Sequence, residues 1–160
     1  MTTKAQELAK KLKTNGITAK QVSCRNRHGS ISCNIKDVKI DPEVVKSLGD
    51  EFEHVRYCEY SQEILSGGNT FVFVQYDWEM ESATRKTPEF NALRDKLSAK
   101  LNAITGNECA EIGSALFYRD GCNIRLRYDK GERHEVEPFH SLDSLTWSVF
   151  VNLANGTIKQ

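Results

Sequence analysis

A glycine-bearing turn runs straight into an apolar segment at Ser66-Gly67-Gly68-Asn69-Thr70-Phe71-Val72-Phe73-Val74-Gln75-Tyr76, and no other stretch constrains the fold of this chain as much. Phe71 to Val74 is apolar at every position, which predicts a central strand covered on both faces rather than one with a wet side. Helices must then supply the cover. The glycine pair invites comparison with a phosphate-cradling loop, but such loops lead from a strand into a helix N-terminus, whereas this one leads into a strand. A tight turn that uses glycine's access to positive φ is the expectation.

The rest of the chain reads as helices and hairpins. Thr3 with Gln6 forms a capping-box pattern ahead of Ala5, Leu8, Ala9 and Leu12, and Asn15-Gly16 supplies the stop. Strands are expected over 17–25 and 30–37, joined through Asn26-Arg27-His28-Gly29. In the second of these, Ile31, Cys33 and Ile35 alternate with Ser32, Asn34 and Lys36, a half-buried pattern. Asp41-Pro42 and Thr87-Pro88 each open a helix with a capping residue followed by proline at the first helical position. The second of these helices carries Phe90, Leu93, Leu97, Leu101 and Ile104 on one face. Asp77 to Lys86 is polar and reads as a connection between two halves, and 56–65 is ambiguous. Strands over 115–119 and 122–128 flank Asp120-Gly121, a hairpin signal. A further strand over 132–137 is expected to be broken by Pro138. Trp147, Val149 and Val151 then place alternating apolar residues along 145–153.

These elements give an α+β fold with a mostly antiparallel sheet, helices packed on one side, and two αββ-containing halves. The halves are an αββαβ segment over 1–80 and an αβββ segment over 81–160, together forming one compact unit. The short runs Cys33-Asn34-Ile35-Lys36 and Cys122-Asn123-Ile124-Arg125 fall at equivalent places in this scheme. No apolar run approaches the roughly 20 residues that span a bilayer, and the N-terminus leads into an amphipathic helix, so a cytoplasmic protein is expected.

Net charge is zero, yet the charges are segregated. Residues 1–39 hold nine Lys/Arg against two acids, whereas residues 40–81 hold ten acids against two bases. One consequence is mutual screening between the segments. The other is an acidic face for a basic partner, formed by Asp50, Glu51, Glu53, Glu59 and Glu63. Basic candidates for nucleic acid are Arg25 and Arg27 beside His28 at the first hairpin, and Arg119, Arg125, Arg127, Lys130 and Arg133 on the second. Against that reading, no strand interleaves stacking aromatics with basic residues.

Catalytic chemistry has little to build on. Cys24, Cys33, Cys58, Cys109 and Cys122 are odd in number and contain no C-x-x-C pair, so free buried thiols are expected rather than disulfides or zinc. A nucleophilic role for Cys24 or Cys58 would need His28, His54 or His134 as its base, and no local pattern provides one. There is no G-x-S-x-G elbow and no Walker loop. His134 and His140, with Glu135 and Glu137 between them, are the one metal candidate. They lack the i, i+4 spacing of the zincin motif and would need a bend at Pro138 to converge. No cofactor, metal or catalytic residue is therefore assigned.

Val22-Ser23-Cys24-Arg25, then Gly29-Ser30-Ile31-Ser32-Cys33-Asn34-Ile35, then the helix from Pro42 give residues 5–76 a weak resemblance to a large polyvalent protein-associated domain of phages and conjugative elements. The sequence departs from that pattern after Ile35, where a tryptophan and an Asp-Gly are absent. The resemblance implies a small protein of a mobile genetic element that protects incoming DNA or disables a host defence, in the manner of an anti-CRISPR protein. It transfers no site residues. The expectation is thus a non-enzymatic inhibitor that binds a protein, such as a basic nucleic-acid-handling bacterial defence complex, through its acidic face. The alternatives are a nucleic-acid-binding accessory protein using the second hairpin, and a metal-dependent enzyme at His134 and His140.

Overall fold

A computed structural model describes residues 2–56, 58, 60–61, 63–64, 68–106, 108–130 and 132–160. The fold is α+β with mostly antiparallel pairing, in two compact units, Met1–Met80 and Glu81–Gln160. No helix among the described residues is long and apolar enough to cross a membrane.

In the first unit, α1 (Lys4–Thr14) begins at a capping box in which Thr3 and Gln6 satisfy each other's backbone N–H groups. Strands β1 (Val22–Arg27) and β2 (Ser30–Ile35) form an antiparallel hairpin in which Arg27 pairs with Ser30. The two-residue turn is His28-Gly29, with φ of 48° and 83°; positive φ at both positions gives the twist that a hairpin needs. Arg27 and Asn26 therefore belong to the strand and not to the turn expected from the sequence. Asp41 caps α2 (Pro42–Gly49), a 3₁₀ turn follows at Asp50–Phe52, and β3 (Val72–Tyr76) returns parallel to β2. The parallel pairing reflects the intervening helix, since a crossover connection is what permits it.

The strand order is β1-β2-β3, which corrects the reading of 71–74 as a central strand covered on both faces. β3 is an edge strand with one dry side. Val72 is 3% exposed whereas Phe73 is 57% exposed. Helices α1 and α2 cover only the face carrying Ile31, Cys33, Ile35 and Val72, which pack with Ala5, Leu8, Leu12 and Val45.

The helix α3 (Trp78–Thr84) occupies the stretch read as a connection and leads to α4 (Pro88–Ala103), capped by Thr87 as expected. The second unit then forms β4 (Cys109–Ile112), β5 (Ala115–Asp120), β6 (Asn123–Lys130) and β7 (Arg133–Phe139), antiparallel throughout and in that order. Strand β4 has no counterpart in the sequence reading. Asp120 pairs with Asn123, so the turn is Gly121-Cys122 with the glycine at φ 58°, one residue later than the Asp120-Gly121 motif implies. Cys122 thus stands in a turn while Cys33 lies within a strand, and the two short similar runs are not equivalent in place. Pro138 does not break its strand, because β7 is an edge whose outer side requires no N–H donor.

The segment 145–153 is helical rather than extended. α5 (Leu142–Ala154) starts at Ser141, which accepts a hydrogen bond from the Ser144 N–H, and it buries Leu145, Val149 and Asn152 at helical spacing. It is apolar on so much of its circumference that Trp147, Val149 and Val151 mimic a period of two. Leu97, Leu101, Leu145 and Val149 close over Phe117, Leu126 and Tyr128 to form the second core. Arg85 secures the start of this layer. It hydrogen bonds Glu81 twice, at 3.0 and 2.7 Å, and lies over the rings of Phe90 and Trp147.

Candidate functional site

Two carboxylates of the expected acidic face meet cations, and a third is built into the fold. In a parallel pair only alternate residues of β3 point their backbone groups toward β2, and those of Val72 point to the open edge. Glu53 Oε1 accepts from the Val72 N–H at 2.7 Å, and Lys46 Nζ donates to the Val72 carbonyl at 3.1 Å while pairing with Glu53 at 2.5 Å. The ion pair thus stands in for a missing neighbouring strand and blunts the edge. The Lys46 ammonium, aided by the Val72 N–H, holds the Glu53 carboxyl below its ordinary value of 4.5. Glu51 pairs with Lys11 at 2.9 Å, and Lys46 also lies 3.8 Å from Asp50. Glu63 is exposed and bonded locally to Ser61, while Glu59 lies outside the described residues.

Glu53→Gln should weaken this clamp. A depressed folded-state pKa stabilises the fold fully above pH 4.5, and the contribution disappears as pH falls through the folded-state value. Urea unfolding should therefore show a deficit for Glu53→Gln at neutral pH, on the order of 1 kcal/mol, that closes on acidification. A deficit of the same size at pH 7 and pH 3 would sink the clamp.

The arginines divide between places. On β5, Arg119 lies on the helix-covered side and donates to the Leu101 carbonyl at 3.4 Å, where a cation complements the end of α4. Arg125 is tied to Asp120 at 2.8 Å. Arg127 is exposed on the other face beside Leu116, and that face also carries Glu111 and Asp129. The second hairpin is therefore mixed in charge. Arg25 and Arg27, by contrast, are exposed on β1 and make no ion pair among the described residues.

Their setting is the face of the first sheet opposite α1 and α2. Register places three rows across it. Arg25, Ser32 and Phe73 stand side by side on β1, β2 and β3, and Ser23, Asn34 and Gln75 form the row beyond. Arg27 pairs with Ser30, whose hydroxyl accepts from the Phe71 N–H at 3.4 Å, and this completes the row at the hairpin end. Arginines thus occupy one edge, hydroxyls and an amide the middle, and two phenyl rings the other edge. The Phe71 and Phe73 rings are 6.0 Å apart and tilted by 37°. None of the nine positions is a carboxylate.

Sequence reading placed both phenylalanines in a core and missed this face. The available signal was Gln75, a polar residue in phase with Phe73, together with Ser30, Ser32 and Asn34 on the wet side of β2.

Other candidates do not converge on chemistry. His134 and His140 are separated by the extended β7, about 20 Å at 3.3 Å per residue, so they cannot share an ion. His134 instead contacts Asp129 at 2.6 Å. Of the cysteines only Cys33 is buried; Cys24 and Cys58 are intermediate, while Cys109 and Cys122 are exposed, which corrects the expectation of buried thiols. Cys24 and Cys33 face each other with Sγ atoms 3.4 Å apart, and no cysteine is hydrogen bonded to a histidine among the described residues. Tyr128 donates to Glu137, which also accepts from Ser148 at 3.1 Å. Burial and that carboxylate push the Tyr128 phenol above its usual range, so at neutral pH it stays a hydrogen-bond donor. An open depression of about 490 Å³ is lined by Lys100, Ile104, Glu108 and Cys109; the Glu108 carboxylate accepts from the Thr105 hydroxyl at 2.9 Å, and no hydrogen bond joins Cys109 to Glu108 or Lys100 among the described residues. The glycine turn at 66–68 lies largely outside the described residues, although Gly68 has φ 72°.

Compared with protein-family models, curated proteins and solved structures, the chain matches none.

Proposed function

We propose that this chain is a non-enzymatic nucleic-acid-binding accessory protein, acting in the setting of a mobile genetic element, as the weak resemblance of residues 5–76 to a domain of phages and conjugative elements implies. The observation that carries the reading is the pair of exposed arginines that make no ion pair among the described residues, on three strand rows whose nine positions hold no carboxylate. Guanidinium groups so placed bind phosphates and release counterions, and the protein's zero net charge does not prevent a local basic edge from doing so. Inhibition of a defence complex through the acidic residues draws less support, since Glu53 is engaged with the backbone and Glu51 faces Lys11.

Salt titration of oligonucleotide binding tests the proposal. Arg25→Ala combined with Arg27→Ala should weaken binding and flatten the dependence of log K on log salt by roughly 1.4, at about 0.7 per phosphate contact on a single strand. Arg127→Ala should change it less. An unchanged slope in the double variant rules out this face. Nuclease-resistant capture of a bacterial protein that is lost in Asp50→Lys with Glu51→Lys would favour the protein-inhibitor reading instead.

A further inference from the structure

Resting on that nucleic-acid reading, we infer that the face of β1, β2 and β3 opposite α1 and α2 is a platform for an unpaired strand, with bases stacked on Phe71 and Phe73 and phosphates held by Arg25 and Arg27.

Three features select this occupant. The first is the exposure of Phe73 on a strand whose opposite face is packed. A solvent-facing phenyl ring offers a π-surface that any base can cover, whereas a base inside a duplex is already stacked and its edges are reachable only from the grooves. The two rings are tilted against each other by 37°, so each presents its own face instead of clasping one base between them.

The second is spacing. Two strand intervals, about 10 Å, separate the arginine edge from the aromatic edge in the row Arg25, Ser32, Phe73. A nucleotide laid across the strands extends from a base on the ring to a phosphate at the guanidinium. Successive rows lie two residues apart along the strands, about 7 Å, which suits the longer repeat of a strand whose bases are unstacked from one another.

The third is chemistry between the edges. Ser30, Ser32 and Asn34 furnish hydroxyl and amide groups that can donate to and accept from base edges or a ribose 2′-hydroxyl. None of the nine positions is a carboxylate, so the three rows themselves place no repelling charge beneath a phosphate.

The test uses the full chain with fluorescein-labelled dT12 and rU12 and a duplex of the same length. Fluorescence anisotropy should show unpaired strands binding at least tenfold tighter than the duplex. Phe73→Leu should weaken binding to the unpaired strands roughly tenfold while leaving the salt slope unchanged, and Phe73→Tyr should restore it. A preference for rU12 over dT12 assigns the ligand as RNA, and equal binding assigns any unpaired strand. Ultraviolet cross-linking of the unaltered protein to dT12 should mark the peptide containing Phe71 and Phe73, which tests the site without any variant. Arginine-dependent binding that is equal for duplex and single strand, with Phe73→Leu silent and cross-links elsewhere, overturns the stacking platform while the nucleic-acid reading stands. Absence of binding to every oligonucleotide overturns both. Self-association by sedimentation that is abolished in Phe73→Glu, without oligonucleotide binding, identifies a second copy of the chain as the occupant and likewise overturns the inference.

Discussion

A Val72→Asp variant is expected to lose the folded first unit. Val72 is 3% exposed and packs within the cluster that includes Ile31, Val45 and Leu8. Its side chain sits over Gly49, where even an added Cβ would come within 2.8 Å of Val72 Cγ1. No room remains for water around a carboxylate there. The Lys46 ammonium reaches the Val72 carbonyl at the strand's edge, but it is already paired with Glu53. The substitution therefore buries an unpaired charge and places it near a second carboxylate, at a cost of more than about 4 kcal/mol. That is comparable with the entire stability of a small domain, roughly 5–15 kcal/mol. Val72→Ala keeps the site apolar and should cost only about 2 kcal/mol. Hydrogen exchange should show loss of amide protection over 22–35 and 72–76 in the aspartate variant, with protection retained in the alanine variant. Native circular dichroism and full protection in Val72→Asp would mean that the packed side of β3 is misassigned.

The second large effect concerns the turn between β4 and β5. Gly113 adopts φ 57°, and a Cβ built there would lie 2.1 Å from the Lys159 carbonyl oxygen and 3.1 Å from Ile158 Cγ2. The 158–159 segment is anchored at this point. Ser114 N–H donates to the Lys159 carbonyl at 2.7 Å, and the Lys159 N–H donates to Ser114 Oγ at 3.0 Å. Ile158, 1% exposed, belongs to the second core. Alanine at 113 incurs the left-handed backbone cost, about 1–2 kcal/mol. It also pushes a backbone segment away, and with it a buried isoleucine worth roughly 1.5–3 kcal/mol. Gly113→Ala should thus cost about 3–5 kcal/mol in denaturant unfolding. Gly121→Ala serves as the control. It has nearly the same φ, 58°, but nothing within 4 Å of the added Cβ, so only the backbone cost applies. Equal destabilisation by the two substitutions would mean that the 158–159 segment does not dock against the turn.

Local chemistry was legible wherever a few neighbouring residues decide the outcome. Thr3 with Gln6, Asp41 before Pro42, and Thr87 before Pro88 start helices because side-chain oxygens meet backbone N–H groups within three positions. Ile31, Cys33 and Ile35 face the core because a strand alternates with period two. The same rule misled where apolar residues crowd both phases. Phe71 to Val74 suggested cover on both sides, and 145–153 suggested a strand in place of α5. Burial there depends on which neighbours arrive, and composition along one segment does not record that.

The candidate site shows the boundary between these levels most clearly. Periodicity by itself determined that Ser30, Ser32 and Asn34 share the wet face of one strand and that Phe71, Phe73 and Gln75 stand in phase on another. Only the tertiary structure decided that β1 continues to Arg27 and so aligns it with Arg25, that the three strands are adjacent, that β3 runs parallel to β2 from more than thirty positions away, and that α1 and α2 both pack on the side away from the arginines and rings. Hydrogen bonding between strands sets their register through pairs remote in sequence. A face assembled from three strands is therefore a property of their pairing, and no single strand carries the basic and aromatic residues together.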